Sequence, residues 1–250
     1  MGLKAGDDRA QPLVLLLPGL LCDEAVWAGQ RAALPECRCV VPDYGSLDSI
    51  GAMADRVLAD APAERFALAG HSMGGRVALE IVRRAPQRVE RLALLDTGLD
   101  PIASGAAGDA ERAGRLALLE RARRDGMRAM GREWARGMVH PDRVDGALFE
   151  HILAMIERKT PAIFEAQISA LLGRPDARAL LPAVRCDSLL LCGRQDAWSP
   201  LARHEQMLAL RPASQLVVVE DCGHMSPMEQ PHAVTAALRR WLGQAAAPAA

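Results

Sequence analysis

Short continuous apolar runs recur along the chain and alternate with stretches in which apolar residues are spaced three or four positions apart. Apolar runs bounded by Gly, Pro or Asp predict buried strands, and the wider spacing predicts amphipathic helices. The predicted strands cover residues 13–17, 66–70, 91–95, 188–192 and 215–220. Because strands that alternate with helices are typical of α/β proteins, the pattern predicts an α/β fold.

This alternation stops between residues 100 and 185, where Gly and Pro separate helical patterns and no convincing strand occurs. We therefore expect a core formed by residues 1–99 and 186–250. The segment 100–185 is expected to be a helical insertion between the strand that ends near Asp96 and the strand that starts near Ser188.

One helix of the insertion has two distinct faces at about 100° per residue. Apolar side chains share one face: Met127, Met130, Trp134 and Met138. Basic side chains share the other: Arg124, Arg128, Arg132 and Arg136. The apolar face either lines an acyl pocket through Met130, Trp134 and Met138 or belongs to the core. The arginine stripe is either a solvated face or a landing patch for an anionic carrier such as phosphopantetheine or coenzyme A.

The segment FALAGHSMGG contains the pattern G-x-S-x-G, with Ser72 between Gly70 and Gly74. This pattern is typical of a sharp strand-to-helix turn that lifts a serine hydroxyl clear of the sheet. The glycines leave room for the strained backbone of such a turn. A helical pattern follows and ends before Pro86, so the context that the motif requires is present. Ser72 is therefore a candidate nucleophile.

A serine nucleophile needs a base to take its proton and a carboxylate to orient that base. Asp196 and His224 each lie a few residues beyond the C-terminal end of a predicted strand, where open α/β sheets build their sites. The order Ser72, Asp196, His224 is the order used with this type of turn. Among the other histidines, His71 is predicted to pack, because neighbours on a tight turn point apart.

Four segments carry a resemblance to a known family: LPGLLCDEAVW, GHSMGG, GRQDAWSP and DCGHMSPMEQP. The chain resembles an α/β-hydrolase of the small esterase type, and within that type the group of pimeloyl-carrier-protein methyl ester esterases. The resemblance implies the α/β-hydrolase fold, a mostly parallel sheet flanked by helices. Because few residues precede the first predicted strand, we expect about six parallel strands plus an edge piece. It also implies Ser72 as nucleophile, His224 as base and Asp196 as orienting acid, with the insertion as a cap over the site.

The resemblance further implies an oxyanion hole formed by the main-chain N–H groups of Leu20 and Met73. Many relatives have His-Gly where this chain has Pro18-Gly19, which changes the local support of that turn but not its main-chain donor. Asp96 is the rival acid, since some relatives place the acid at the end of that strand. Asp196 is favoured because its loop matches the usual position.

The expected activity is cofactor-free hydrolysis of a carboxylic ester through an acyl-enzyme. The same scaffold also supports acyl transfer, thioester hydrolysis, perhydrolysis, C–C bond cleavage or lyase chemistry. A non-catalytic ligand receptor that retains the triad is an alternative of another class. The expected partner is a small-molecule ester, with an acyl-carrier or coenzyme A thioester as a further candidate.

Composition narrows these possibilities. The chain has 250 residues, half of them apolar, and a net charge of −1, which argues against nucleic acid as a partner. No apolar run approaches about 18 residues, so no membrane span is expected. The six cysteines form no metal-ligand pattern, and no secretory leader precedes the first strand. We therefore expect reduced thiols, no metal, a cytoplasmic location and a disordered tail at 244–250.

Overall fold

Six strands form a single parallel sheet in the computed structural model, which describes residues 11–244. The strands are β1 (Leu13–Leu17), β2 (Arg38–Val40), β3 (Phe66–His71), β4 (Val89–Leu95), β5 (Asp187–Gly193) and β6 (Gln215–Val219). Their order is β2-β1-β3-β4-β5-β6, and every neighbouring pair is parallel. The predicted fold class is therefore confirmed.

The central strands consist of apolar residues because helices cover the sheet on both faces. Every residue of β1 and of β3 is buried. The helices of the core are α1 (Ala28–Ala33), α2 (Ile50–Asp60) and α3 (Met73–Arg84), and after the insertion α8 (Leu201–Leu210), α9 (Ser226–Glu229) and α10 (Pro231–Trp241). Helix α3 packs against β1, β3 and β4, and α10 packs against α1.

The stretch between β4 and β5 contains helices and no strand. Its helices are α4 (Ala106–Asp125), α5 (Met127–Trp134), α6 (Ala147–Glu157) and α7 (Pro161–Leu172), and two short 3₁₀ turns lie between α5 and α6. Helices α4 and α5 pack on each other, as do α5 and α6, and α4 and α7.

The prediction of one continuous helix through residues 124–138 is wrong. Gly126 has a φ of 88° and separates α4 from α5. This left-handed conformation is favourable for glycine and ends an α-helix. Helix α5 then ends at Trp134, and a 3₁₀ turn follows over Ala135–Gly137. Arg124 and Met138 therefore lie outside the helix to which they were assigned.

Residues 1–10, where no secretory leader is expected, lie outside the described part of the chain. Of the predicted disordered tail 244–250, the structure describes Gln244, whose N–H donates to Arg239 O at 2.9 Å. None of the helices in residues 11–244 combines the length and the apolar character of a transmembrane segment.

Candidate active site

Ser72 stands at the junction of β3 and α3 in a strained backbone conformation. Its φ of 53° and ψ of −115° lie outside the regions that residues other than glycine ordinarily adopt. Hydrogen bonds hold this geometry: the Ser72 N–H donates to Leu95 O at 2.9 Å, and Thr97 Oγ1 donates to Ser72 O at 2.7 Å. The strained turn is therefore fixed to the end of the neighbouring strand β4.

The glycines around Ser72 are required by close backbone contacts. A Cβ on Gly70 would lie 2.4 Å from Gly74 O, and a Cβ on Gly74 would lie 2.2 Å from Leu17 O. Because both obstacles are backbone atoms, neither can move aside as a flexible side chain would. The G-x-S-x-G pattern thus results from the close approach of β1, β3 and α3.

We expect Gly74→Ala to lower the stability of the protein by about 1–3 kcal/mol, the usual cost of overpacking, and to lower kcat because the turn at Ser72 must shift. The matched control is Gly114→Ala in α4, where an added Cβ meets no atom within 4 Å. That control is expected to raise stability by up to about 1 kcal/mol. Thermal unfolding and kcat for both variants test this, and equal Tm values for the two would contradict it.

A continuous chain of hydrogen bonds joins the three predicted residues. His224 Nε2 lies 2.9 Å from Ser72 Oγ, and His224 Nδ1 lies 2.9 Å from Asp196 Oδ2. The other carboxylate oxygen of Asp196 accepts from the N–H groups of Trp198 and Ser199, both at 2.8 Å. Since an ionised carboxylate accepts only, Nδ1 carries the proton and Nε2 is free to accept the proton of Ser72.

The loop that carries His224 is fixed on several sides. The His224 N–H donates to Met138 O at 2.6 Å, across to the helical segment. The buried Glu229 carboxylate accepts from Gly223 N at 3.0 Å, Met225 N at 3.1 Å and His140 N at 2.7 Å. Glu229 was not predicted as a site residue. The sequence could have indicated it, because it lies five residues after His224 in the segment DCGHMSPMEQP.

His71 packs beneath this loop. Its side chain is buried, and its Nε2 lies 2.8 Å from the main-chain O of His224. Burial, with a contribution from nearby His224, lowers the pKa of His71 to about 3, so the ring is neutral and donates from Nε2. His71 therefore supports the position of His224 and does not contact Ser72 as a base would.

The charges around this pair keep Asp196 ionised and make His224 a stronger base than a free histidine. Burial disfavours the charge of Asp196, but His224 and the hydrogen bonds outweigh it and lower the carboxyl pKa to about 2. Burial likewise lowers the pKa of His224, but the adjacent Asp196 outweighs it and holds this pKa above its ordinary value. The pair can thus accept a proton at neutral pH and stabilise it.

Asp96, the rival acid, lies in a different hydrogen-bond network. It is fully buried, and it accepts from Gly193 N at 3.1 Å and from Ser226 Oγ at 2.5 Å. Its Oδ2 lies 3.7 Å from Nε2 of His71. Burial, together with the nearby Asp196 carboxylate, raises the pKa of Asp96 well above its usual range. The hydrogen-bond partner of His224 is thus Asp196.

Leu20 and Met73 both line the cavity next to Ser72. Met73 is the first residue of α3, so its N–H has no acceptor within the helix and is available to a ligand. The turn at Leu20 lies close to His71, because a Cβ on Gly19 would lie 2.9 Å from His71 Nδ1. The turn is also tied to α7, since Leu21 N donates to the buried Gln167 Oε1 at 2.9 Å.

A cavity of about 280 Å³ opens above Ser72. This volume is at the low end for small-molecule sites. Of the predicted pocket residues, Trp134 and Met138 line the cavity, whereas Met130 is fully buried and is not part of its wall. Trp198 also lines it, and its ring centroid lies 5.2 Å from those of Trp134 and His224.

The wall also contains charged residues that were not predicted from the sequence: Arg76, Glu111, Arg115, Arg174 and Arg203. Only Arg76 carried a usable signal, because it follows Ser72 by one helical turn on α3. The others come from distant parts of the chain.

The predicted arginine stripe of the insertion is paired with carboxylates. Arg128 bonds Glu150 and Glu157, the latter at 2.8 Å. Arg132 lies 2.7 Å from Glu150, and Arg136 lies 2.9 Å from Asp145. This arrangement is the one expected of a solvated, ion-paired face.

No three His, Cys, Asp or Glu side chains in residues 11–244 are grouped so as to hold a metal ion.

The sequence of this chain is similar to those of several known enzymes. The sequence profile described as alpha/beta hydrolase family matches residues 14–238. A pimeloyl-[acyl-carrier protein] methyl ester esterase from Aromatoleum aromaticum is 29% identical, over 88% of this chain and 94% of that protein. The enzyme of the same description from Nitrosomonas europaea is 28% identical, over 85% and 88%. A 2-hydroxy-6-oxononadienedioate/2-hydroxy-6-oxononatrienedioate hydrolase from Escherichia coli is 23% identical, over 89% and 80%.

Solved structures agree with the fold. A thermophilic esterase from Thermogutta terrifontis is 33% identical with a TM-score of 0.83, covering 93% of this chain and 89% of that one. An enol-lactonase from Burkholderia xenovorans LB400 has a TM-score of 0.81 at 20% identity, covering 96% and 94%, and shows similarity of fold alone.

Proposed function

Because this chain belongs to the α/β hydrolase family, we propose that it is a serine esterase that cleaves a carboxylic ester through Ser72, His224 and Asp196. The observation that carries the proposal is the pair of 2.9 Å contacts that join Ser72 Oγ to His224 and His224 to Asp196. The esterases among its relatives support the same reaction class.

The proposed reaction has two halves. Ser72 Oγ bonds to the carbonyl carbon of the ester while its proton moves to Nε2 of His224, and the C–O bond to the alcohol then breaks as the alcohol takes that proton. Water next attacks the acyl-enzyme and gives its proton to Nε2. Ser72 recovers a proton as the acid leaves. Asp196 holds the ring orientation and stabilises the imidazolium in each half.

The N–H groups of Leu20 and Met73 are proposed to stabilise the oxyanion that develops on the carbonyl oxygen. The position of Met73 at the start of α3 supports this role, since the partial positive charge of the helix N-terminus adds to its N–H. The helical segment between β4 and β5 is proposed to act as a cap, because Trp134, Met138 and Leu171 from it line the cavity.

Turnover of a panel of acyl esters and thioesters, with and without a competing nucleophile, tests this proposal. An esterase hydrolyses the esters fastest, and water remains the preferred acceptor. Preference for an added alcohol, amine or peroxide would assign acyl transfer or perhydrolysis instead. Cleavage of a C–C bond next to a carbonyl group would assign C–C bond hydrolysis instead. Ligand binding without turnover would indicate a receptor.

We expect kcat/KM for ester hydrolysis to rise with pH along one ionisation and then to reach a plateau. Protonated His224 cannot accept the proton of Ser72, and its pKa is raised, so the midpoint should lie above the ordinary value of about 6.5. The Asp196 carboxyl, with a pKa of about 2, stays ionised throughout this range.

A pH–rate profile of kcat/KM measures this midpoint. His232→Gln is the control, because that side chain is exposed at the start of α10 and its loss should leave the profile unchanged. A profile that stays flat down to about pH 4.5 would remove His224 from the role of base.

A further inference from the structure

The cavity above Ser72 has a strongly cationic wall. Four arginine side chains line it together with a single carboxylate, Glu111. The arginines are Arg76, Arg115, Arg174 and Arg203. An apolar acyl chain does not require such a wall, and like charges that gather beside a small cavity are costly unless an anion offsets them.

Two of these arginines are already ion-paired within the protein, and they share one carboxylate. Arg174 binds both oxygens of Glu111, at 2.6 and 2.8 Å, and Arg115 lies 2.9 Å from the same carboxylate. Arg174 also donates to Asp100 O at 3.1 Å and Leu171 O at 2.9 Å. These contacts fasten α4 to the end of α7, so Arg115 and Arg174 have a structural role.

The other two lack such a partner. Within residues 11–244, neither Arg76 nor Arg203 is ion-paired with a carboxylate. Arg76 Nη1 donates to Asp100 O at 2.8 Å, and Arg203 Nη1 to Trp198 O at 3.4 Å. A guanidinium has five N–H donors, so both retain donors for a ligand. Burial, with the nearby Arg174 and Arg203, lowers the pKa of Arg76 to about 9, and Arg76 is still charged at neutral pH.

Both arginines are anchored close to the nucleophile. Arg76 follows Ser72 by four residues on α3, a rise of about 6 Å along the helix axis. The stem of Arg203 lies against Gly98, where an added Cβ would be 2.5 Å from Arg203 Cδ. Gly98 adjoins Thr97, which donates to the main-chain O of Ser72. An anion bound by these guanidinium groups would therefore lie a short distance from the ester carbonyl.

We propose that Arg76 and Arg203 bind a free carboxylate on the substrate, which would make the preferred substrate a short ester that carries a second, anionic group. This inference rests on the proposed esterase function and adds the substrate class. A planar guanidinium binds a carboxylate through two parallel N–H bonds, which fixes the orientation of the substrate as well as its charge. The cavity of about 280 Å³ limits the spacer between the two groups to a short one.

The test compares kcat/KM for anionic esters with that for a neutral ester of similar length. Monomethyl glutarate carries the carboxylate in its acyl part, O-butyryl glycolate carries it in its alcohol part, and methyl pentanoate is neutral. We expect at least one anionic ester to exceed methyl pentanoate by about 10-fold or more, and Arg76→Gln and Arg203→Gln to lower its kcat/KM by about 10- to 100-fold, mainly through KM. Hydrolysis of methyl pentanoate should fall less than hydrolysis of the anionic ester in both variants, so the ratio of the two kcat/KM values should drop.

Arg56→Gln is the matched control, since Arg56 is exposed on α2 and pairs with Asp60 at 3.6 Å, away from the cavity. The wild-type protein offers a second measurement that needs no variant: glutarate should inhibit methyl pentanoate hydrolysis competitively, and neutral glutaramide should not. Equal turnover of neutral and anionic esters, or no inhibition by glutarate, would overturn the carboxylate site but leave the esterase intact. No turnover of any ester would overturn the proposed function itself.

Discussion

Replacing Ser72 with alanine is expected to lower kcat for ester hydrolysis about 10⁶-fold, the size of effect that follows loss of a serine nucleophile in a triad. The reason is that His224 Nε2, 2.9 Å from Ser72 Oγ, would then have no hydroxyl to deprotonate. A fluorophosphonate probe should also label the wild-type protein at Ser72 and fail to label the variant. Mass spectrometry of the labelled protein identifies the modified residue.

The control for this experiment is Ser169→Ala, because Ser169 is exposed on α7 and takes no part in the site. Its kcat and its labelling should match those of the wild-type protein. Labelling that persists in Ser72→Ala, or that occurs at another serine, would move the nucleophile elsewhere.

Replacing Asp196 with asparagine is expected to lower kcat about 10⁴-fold. The asparagine amide would donate to Nδ1 of His224 where the carboxylate now accepts at 2.9 Å, so the ring would carry its proton on Nε2 and could not accept from Ser72. The variant keeps the shape of the side chain. Circular dichroism and Tm should therefore change little while kcat falls.

Asp96→Asn is the matched comparison, because Asp96 is equally buried but belongs to a network with Gly193 and Ser226. Its amide oxygen can still accept a hydrogen bond, so the loss of kcat should be far smaller than for Asp196→Asn. The reverse ranking of the two variants would assign the orienting role to Asp96.

Continuous apolar runs made the fold predictable. β1 begins and ends as predicted, at Leu13 and Leu17, because a strand in the middle of a sheet is apolar on both faces. β4 begins two residues earlier than predicted, at Val89, and β5 extends one residue beyond each predicted end. β2 was not located, because three residues at the edge of the sheet give no hydrophobic pattern.

The members of the candidate site that follow a strand could be predicted from the sequence. Parallel strands bring their C-terminal ends to one edge, so Ser72, Asp196 and His224 could be expected to meet. Their hydrogen-bonded arrangement agrees with that expectation, and their catalytic roles stay predictions until the variants are measured. The structure separates Met130 from the cavity although its helical spacing groups it with Trp134.

The features that sequence analysis missed depend on contacts between distant segments. Arg203 reaches the cavity from α8, and Arg174 from beyond α7, and no spacing along the chain indicates that they meet Arg76. The pairing of Arg128 with Glu150 and Glu157 is likewise a contact between α5 and α6. Only the packing of the helices determines whether a row of arginines is ion-paired or available to a ligand.

The contacts at Met138 and His140 have a consequence for how this protein can be altered. The main chain at these positions bonds directly to the His224 loop and to Glu229, which holds that loop. The helical segment therefore cannot be exchanged without affecting the His224 loop, because its main chain is part of what holds that loop. A chimera that receives this segment from a relative would need to retain residues 138–140. Without them, His224 would lose its support, and any change of specificity would be accompanied by a lower kcat. Directed evolution of specificity should therefore spare these residues and target apolar side chains of the segment that line the cavity, such as Trp134 and Leu171.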